Sequence, residues 1–245
     1  MLETIRRWLP RRGGERYPEL AQWAAARRCS YKARADGGGV LIESTAPDDA
    51  WRLEWGPSQR PYIAGHELRL RAVLGADDVL QLVVLTRPLM QSLETDIFEQ
   101  YTEDLRTRAD TATPDEMRWL VLYPKLAASE LGVLRDHFGA AGHPKAALMD
   151  WLAGDLTDAL AMAATGWLRA DMPLALVVQR GRLTMRVPLA KPHAAACDDA
   201  LALFRVASRE ARAVHDRWAG SGATPSTQPS LWARAGGDDG GGAPR

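Results

Sequence analysis

The sequence predicts an α+β fold: an antiparallel β-meander with packed helices, then a helical second half containing a β-hairpin. Three observations lead there. Trp51, Leu53 and Trp55 alternate with charged residues, as do Leu68, Leu70, Ala72 and Leu74 further on. Such period-two alternation marks strands with one face buried and one wet. Leu93, Ile97, Tyr101 and Leu105 recur every four residues, and so do Leu148, Leu152, Leu156 and Leu160. That spacing lays an apolar stripe along a helix. Finally, Leu174–Gln179 and Arg182–Val187 flank Arg180-Gly181, a two-residue turn with a glycine available for positive φ.

Taken in order, Pro18 and Glu19 suit the first turn of a helix over 18–29. Asp36 to Gly39 forms a turn, and Val40-Leu41-Ile42 opens a short strand. Strands follow at 51–55, 67–74 and 79–85, joined through turns and the 56–65 loop, so that four strands form the meander. Arg87-Pro88-Leu89 ends it, before a helix over 90–108. Thr113, Pro114 and Glu116 supply a helix cap, a first-turn proline and a capping-box carboxylate. The residues after them, Trp119 to Tyr123, have strand-like composition; the cap decides for a helix that stops before Pro124. A short helix from Ser129 to about Phe138 is broken by Gly139-Ala140-Ala141-Gly142. One long helix from Pro144 to Trp167, bent at Gly154, precedes the hairpin, and a last helix starts at Pro192.

Residues 1–16 read as a basic flexible leader, 17–217 as the globular region, and 218–245, rich in Gly, Ala, Ser and Pro, as a disordered tail. An Arg87-Pro88-Leu89 and a Val187-Pro188-Leu189 each follow an arginine-studded strand and precede a helix. That echo suggests two related halves, 17–110 and 113–217.

The chain has 245 residues, 31 basic and 31 acidic, and no net charge. Bulk positive charge of the kind that holds nucleic acid is absent, so no nucleic-acid partner is expected. No apolar run is long enough to cross a membrane. The arginines near the N-terminus lead into Pro10 and Gly13-Gly14 rather than an apolar stretch, so no export signal is read and a cytoplasmic location is expected. Cys29 and Cys197 are too few for a disulfide framework and are expected as two separate thiols.

Chemical signatures are incomplete throughout. His66-Glu67 lacks the second histidine of a zinc-protease helix, since position 70 is Leu70. Gly139 to Ala146 has the wrong glycine spacing for a phosphate loop, and no Ser or Thr follows Lys145. No Gly-x-Ser-x-Gly elbow occurs. No metal, cofactor or catalytic residue is expected.

Two groups of residues remain as candidates. The 56–67 loop gathers Ser58, Arg60, Tyr62 and His66, which could line a pocket for a small molecule or anion, or an enzyme's substrate. The termini carry Arg6, Arg7, Trp8, Arg11, Arg12 and Trp232, aromatic and basic groups with no core face, suited to a protein partner or self-association. Charge is segregated: residues through Ala35 carry +6 and Ser92 to Glu116 carry −6, an arrangement that steers docking. The leading expectation is a non-enzymatic protein-interaction module. The alternatives are ligand binding at the 56–67 loop and weak peripheral contact of residues 1–12 with an anionic membrane surface.

Overall fold

In a computed structural model, residues 17–34, 38–47, 49–75, 80–102 and 115–219 are described. The chain forms α1 (Pro18–Ala26), β1 (Ser30–Ala33), β2 (Val40–Ala46), β3 (Asp49–Pro57), β4 (His66–Val73) and β5 (Gln81–Thr86). There follow α2 (Arg87–Thr102), α3 (Asp115–Leu122), α4 (Ala128–Leu131), a 3-10 turn (Gly132–Leu134) and β6 (Phe138–His143). The rest is α5 (Lys145–Leu152), α6 (Asp155–Thr165), β7 (Ala175–Gln179), β8 (Arg182–Pro188) and α7 (Ala194–Ala219). Eight strands make one antiparallel sheet in the order β1-β2-β3-β4-β8-β7-β5-β6. The fold is α+β.

The expected meander holds through β2, β3 and β4. The strand after them, β5, lies elsewhere: the β7–β8 hairpin inserts between β4 and β5. Arg180 and Gly181 both have positive φ, at 50° and 63°, which is what a two-residue hairpin turn requires. The hairpin therefore sits inside the sheet rather than beside it. Strands from 17–110 and from 113–217 share that sheet.

Several local expectations change. The first helix stops at Ala26, Arg28 takes a φ of 55°, and Ser30–Ala33 adds an edge strand in register with Glu43 to Val40. Pro88 lies in the first turn of α2 rather than in a break before it, where its missing N–H costs nothing. Within 115–122 the helix prevails over the strand-like side chains; Thr113 and Pro114 lie outside the described residues. The long helix expected from Pro144 to Trp167 is two helices separated at Gly154.

The largest correction concerns Gly139 to Gly142. They do not break a helix; they form the strand β6, paired with β5 from Gln81↔His143 to Thr86↔Phe138. Both faces of this strand are covered, so small residues are needed there. A Cβ at Gly139 would meet Met90 Sδ at 2.0 Å, and one at Gly142 would meet the Gln81 carbonyl oxygen at 2.7 Å.

One face of the sheet is fully covered. Trp51, Leu53, Leu70, Val84, Leu176 and Met185 point into a core closed by α1, α5, α6 and α7. Trp151 lies fully buried there and donates through Nε1 to the Ala207 carbonyl of α7 at 3.1 Å. The 26-residue α7 meets this core with Cys197, Leu201, Phe204, Ala207, Ala211 and Val214, a three-to-four residue spacing. Cys29 and Cys197 are both free thiols.

The opposite face is covered only in part. Helices α2 and α3 pack Leu89, Leu93, Met117, Trp119 and Leu120 over Val83, Leu85, Ala141, Ala175 and Val177. That cover extends over β5, β6 and β7. Across β3, β4 and β8 the outward residues are Arg52, Glu54, Glu67, Arg69, Arg71, Arg182, Thr184 and Arg186. Among the described residues no helix is long and apolar enough to cross a membrane.

Candidate functional site

The uncovered half-face is a lattice of charge set by register. Arg69 stands between Glu54 on β3 and Arg186 on β8, and Arg71 between Arg52 and Thr184. Arg186 Nη1 donates to Glu67 Oε1 at 2.6 Å, and Arg69 Nη1 donates to the same oxygen at 2.7 Å. Arg69 Nη2 reaches Glu54 Oε2, and Arg52 Nε donates to Glu54 Oε1 at 2.5 Å. Arg52 Nη1 lies 3.6 Å from Glu43 Oε1. The chain of ion pairs thus runs from β8 to β2. Glu67, Arg69 and Arg186 are buried. Buried charges need such partners, because desolvation would otherwise exceed what they gain.

The lattice ends in excess positive charge. An open cavity of about 470 Å³ lies where α3 stops covering the sheet, lined by Arg60, Arg71, Glu116, Val177, Gln179, Arg180, Arg182, Thr184 and Arg186. Five arginines face one carboxylate. Arg71 and Arg182 form no hydrogen bond or ion pair with any described residue. Burial first, then the charges of Arg186 and Arg52, push the Arg71 pKa down. Burial and the neighbouring Arg71, Arg186 and Arg52 do the same to Arg69. Like charges opposite one another across a sheet destabilise it, and Arg71 stands opposite Arg52.

Helix α3 and the 57–65 loop form the cavity's rim. The loop is closed on itself: the Ser58 backbone N–H donates to the Gly65 carbonyl at 2.9 Å, with Gly65 at a φ of 75°. Arg60 Nε donates to both carboxylate oxygens of Glu116 at 3.1 Å, and Tyr62 Oη donates to Glu116 Oε1 at 3.1 Å. Glu116 is 1% exposed. Burial, followed by the Glu116 charge, raises the Tyr62 pKa, so this phenol stays a donor. Glu116 is thus a buried tether between α3 and the loop rather than part of a solvated acidic face; its capping-box partner Thr113 lies outside the described residues.

Of the four residues singled out in this loop, Arg60 and Tyr62 converge on Glu116, and Arg60 lines the cavity. Ser58 turns inward, accepting from the Arg60 N–H at 3.0 Å and donating to the Arg60 carbonyl at 2.9 Å. His66 stacks on Trp55, with ring centroids 4.7 Å apart and planes at 12°. Ser58 and His66 therefore support the loop and do not line the cavity. Arg6, Arg7, Trp8, Arg11, Arg12 and Trp232 lie outside the described residues, as do residues 103–114 of the segregated acidic stretch, the leader and the tail beyond Ala219.

The sequence reading missed Arg71, Gln179, Arg182, Thr184 and Arg186. Their signal was present as the polar half of two alternating strands, which ordinarily means no more than a solvated face. What turns them into a site is the pairing of β4 with β8, more than a hundred residues apart. A smaller cavity of about 180 Å³, lined by Arg34, Arg52, Glu54, Gln59, Glu67 and Arg69 among others, lies on the same face. Among the described residues no cluster of three or more His, Cys, Asp or Glu could hold a metal ion.

The cavity offers guanidinium forks, a hydroxyl and an amide. Its lining contains no histidine or cysteine to act as base or nucleophile. Guanidinium forks of this kind can hold a negatively charged group in place. No family model, curated protein or solved structure matches this chain.

Proposed function

We propose that the chain is a binding protein for a small anionic molecule, held in the arginine-lined cavity between β4, β7, β8, α3 and the 57–65 loop. The observation that carries this reading is the excess of five arginines over one glutamate around a space of about 470 Å³. Ligand cavities commonly span about 300–1,000 Å³ and use a few convergent polar groups. Guanidinium is suited to the task because its planar fork binds carboxylate or phosphate with two parallel hydrogen bonds. The clustering of arginines around one cavity supports the ligand reading; the terminal residues named for a protein partner lie outside the described residues.

Thermal unfolding of the full-length chain with a panel of organic anions and their neutral analogues tests the proposal. A ligand at about a hundred times its Kd stabilises by about 2.7 kcal/mol. For a chain of this size that amounts to a rise of roughly 5–11 °C in Tm. Anions should raise Tm, neutral analogues should not, and added salt should shrink the effect. A Tm indifferent to every anion would end this reading.

A further inference from the structure

The five arginines of the cavity are not equivalent. Arg60 is held by Glu116, and Arg186 by Glu67. Arg71 and Arg182 are the two whose guanidinium groups have no hydrogen bond or ion pair among the described residues, so the cavity presents two unmatched positive charges to one place. Register sets where they stand. Arg71 lies directly opposite Thr184, and Arg182 lies opposite Gln179 and two residues from Thr184 on the same face of β8. Residues opposite one another in antiparallel strands are about 5 Å apart, and next-but-one residues about 7 Å. Thr184 and Gln179 make no side-chain hydrogen bond with described residues, and neither the nitrogens of Arg71 nor the Thr184 hydroxyl is sealed from solvent. Two forks, a hydroxyl and an amide thus stand at neighbouring register positions and line the same cavity.

Building on the anion-binding reading, we propose that the ligand is a phosphate monoester, with its dianionic phosphoryl group seated between Arg71 and Arg182 and further hydrogen-bonded by Thr184 and Gln179. A dianion matches the two unmatched charges. A phosphoryl group also offers three terminal oxygens to donors on two sides, where a single carboxylate offers two oxygens in one plane. The remaining volume, bordered by Val177, Arg60 and Glu116, takes the organic part.

The test is calorimetric titration of the full-length chain at low ionic strength with inorganic phosphate and methyl phosphate, against succinate as a dianion of different shape. Methyl phosphate should bind at least tenfold more tightly than succinate. Each charge-assisted hydrogen bond lost weakens binding roughly tenfold or more, so Arg71→Gln and Arg182→Gln should each do so. Thr184→Ala should weaken it by a few-fold, and Arg169→Gln, on an exposed arginine outside the cavity, should leave it unchanged. Arg182 is exposed, so its variant keeps the test decisive if Arg71→Gln does not fold. Succinate binding as tightly as methyl phosphate would overturn the phosphate assignment and leave the anion reading standing. Phosphate binding that survives both arginine substitutions would overturn the site. An absence of binding by any of the three anions would overturn both readings together.

Discussion

Replacing Glu116 with glutamine sets two consequences of its position against each other. The carboxylate lines the cavity that is to hold an anion, so it opposes the ligand. A space of about 470 Å³ is about 10 Å across, which places a bound charge roughly 8 Å from Glu116. At that separation Coulomb's law gives about 2 kcal/mol per ligand charge at an effective dielectric of about 20, and about 0.5 kcal/mol in water. The cavity is open, so the lower part of that range applies, and a dianion should gain about 1–2 kcal/mol. Binding should tighten roughly 5- to 30-fold. Against this, the variant loses its ion pair with Arg60. Arg60 keeps 23% of its side chain exposed and can turn to water, and glutamine still accepts from Tyr62 Oη. The loss in stability should therefore be about 1 kcal/mol. Titration with inorganic phosphate at low salt reads the affinity, and urea unfolding reads the stability. The gain should shrink as salt rises. A folded Glu116→Gln protein that binds phosphate no more tightly than the parent would show that the anion does not sit in this cavity.

Three further outcomes test the fold around the site. Gly142→Ala should destabilise by about 1–3 kcal/mol, because its Cβ would meet the Gln81 carbonyl oxygen at 2.7 Å and Leu82 Cα at 3.0 Å; an unchanged urea midpoint would contradict the β5–β6 pairing. Trp151→Ala should cost about 3–5 kcal/mol by the same measurement, since it empties a fully buried site and removes the hydrogen bond to the Ala207 carbonyl. Burial pushes the Cys197 thiol up to about 12 from 9.0, so the unfolded chain ionises it first. Its contribution is fully present below about pH 9 and is lost as pH rises toward 12. Cys197→Ala should flatten part of the alkaline fall in stability between about pH 9 and about pH 12; an identical fall in both proteins would place the thiol in water.

What could be read from the sequence was local. The Arg180-Gly181 turn and the Trp51–Trp55 alternation each carry their signal within a dozen residues, and each appears in the structure. What escaped was decided by partners far along the chain. Phe138-Gly-Ala-Ala-Gly-His143 looks like a break because glycine and alanine have little strand preference of their own. It is a strand because α2 and α3 press on one side of it and the main core on the other, leaving room for nothing larger. Glu116 reads as a capping-box carboxylate because it stands three residues after Thr113. Its described side-chain partners are Arg60 and Tyr62, more than fifty residues away. The four-strand meander failed in the same manner: nothing local in β5 reveals that a hairpin a hundred residues later will separate it from β4.

The unequal cover of the two faces connects fold to site. A sheet of eight strands needs apolar residues wherever a helix lies on it and charge wherever water does. β4 and β8 obey this on the covered face with Leu68, Leu70, Met185 and Val187. On the other face α2 and α3 reach only as far as β7, and the next two strands change to arginine at alternate positions. A merely solvated face would be served by mixed signs, as β2 and β3 show with Glu43, Arg52 and Glu54. Between β4 and β8 the acidic partners run out after Glu67, although Arg71 is partly buried and faces Arg52 across the ladder. Placing a second arginine, Arg182, within reach adds to the repulsion without repairing the register. Such an arrangement lowers the stability of the free protein, and on the proposed reading a bound dianion would restore it. A carboxylate engineered among these arginines should then have opposite effects on the two states. Thr184→Glu, facing Arg71 from across the ladder, should stabilise the free chain by about 0.2–1 kcal/mol while abolishing the thermal shift caused by phosphate. If Thr184→Glu destabilises the free chain, Arg71 is not short of a partner and the charge excess has another origin; if phosphate still stabilises the variant, the anion sits elsewhere.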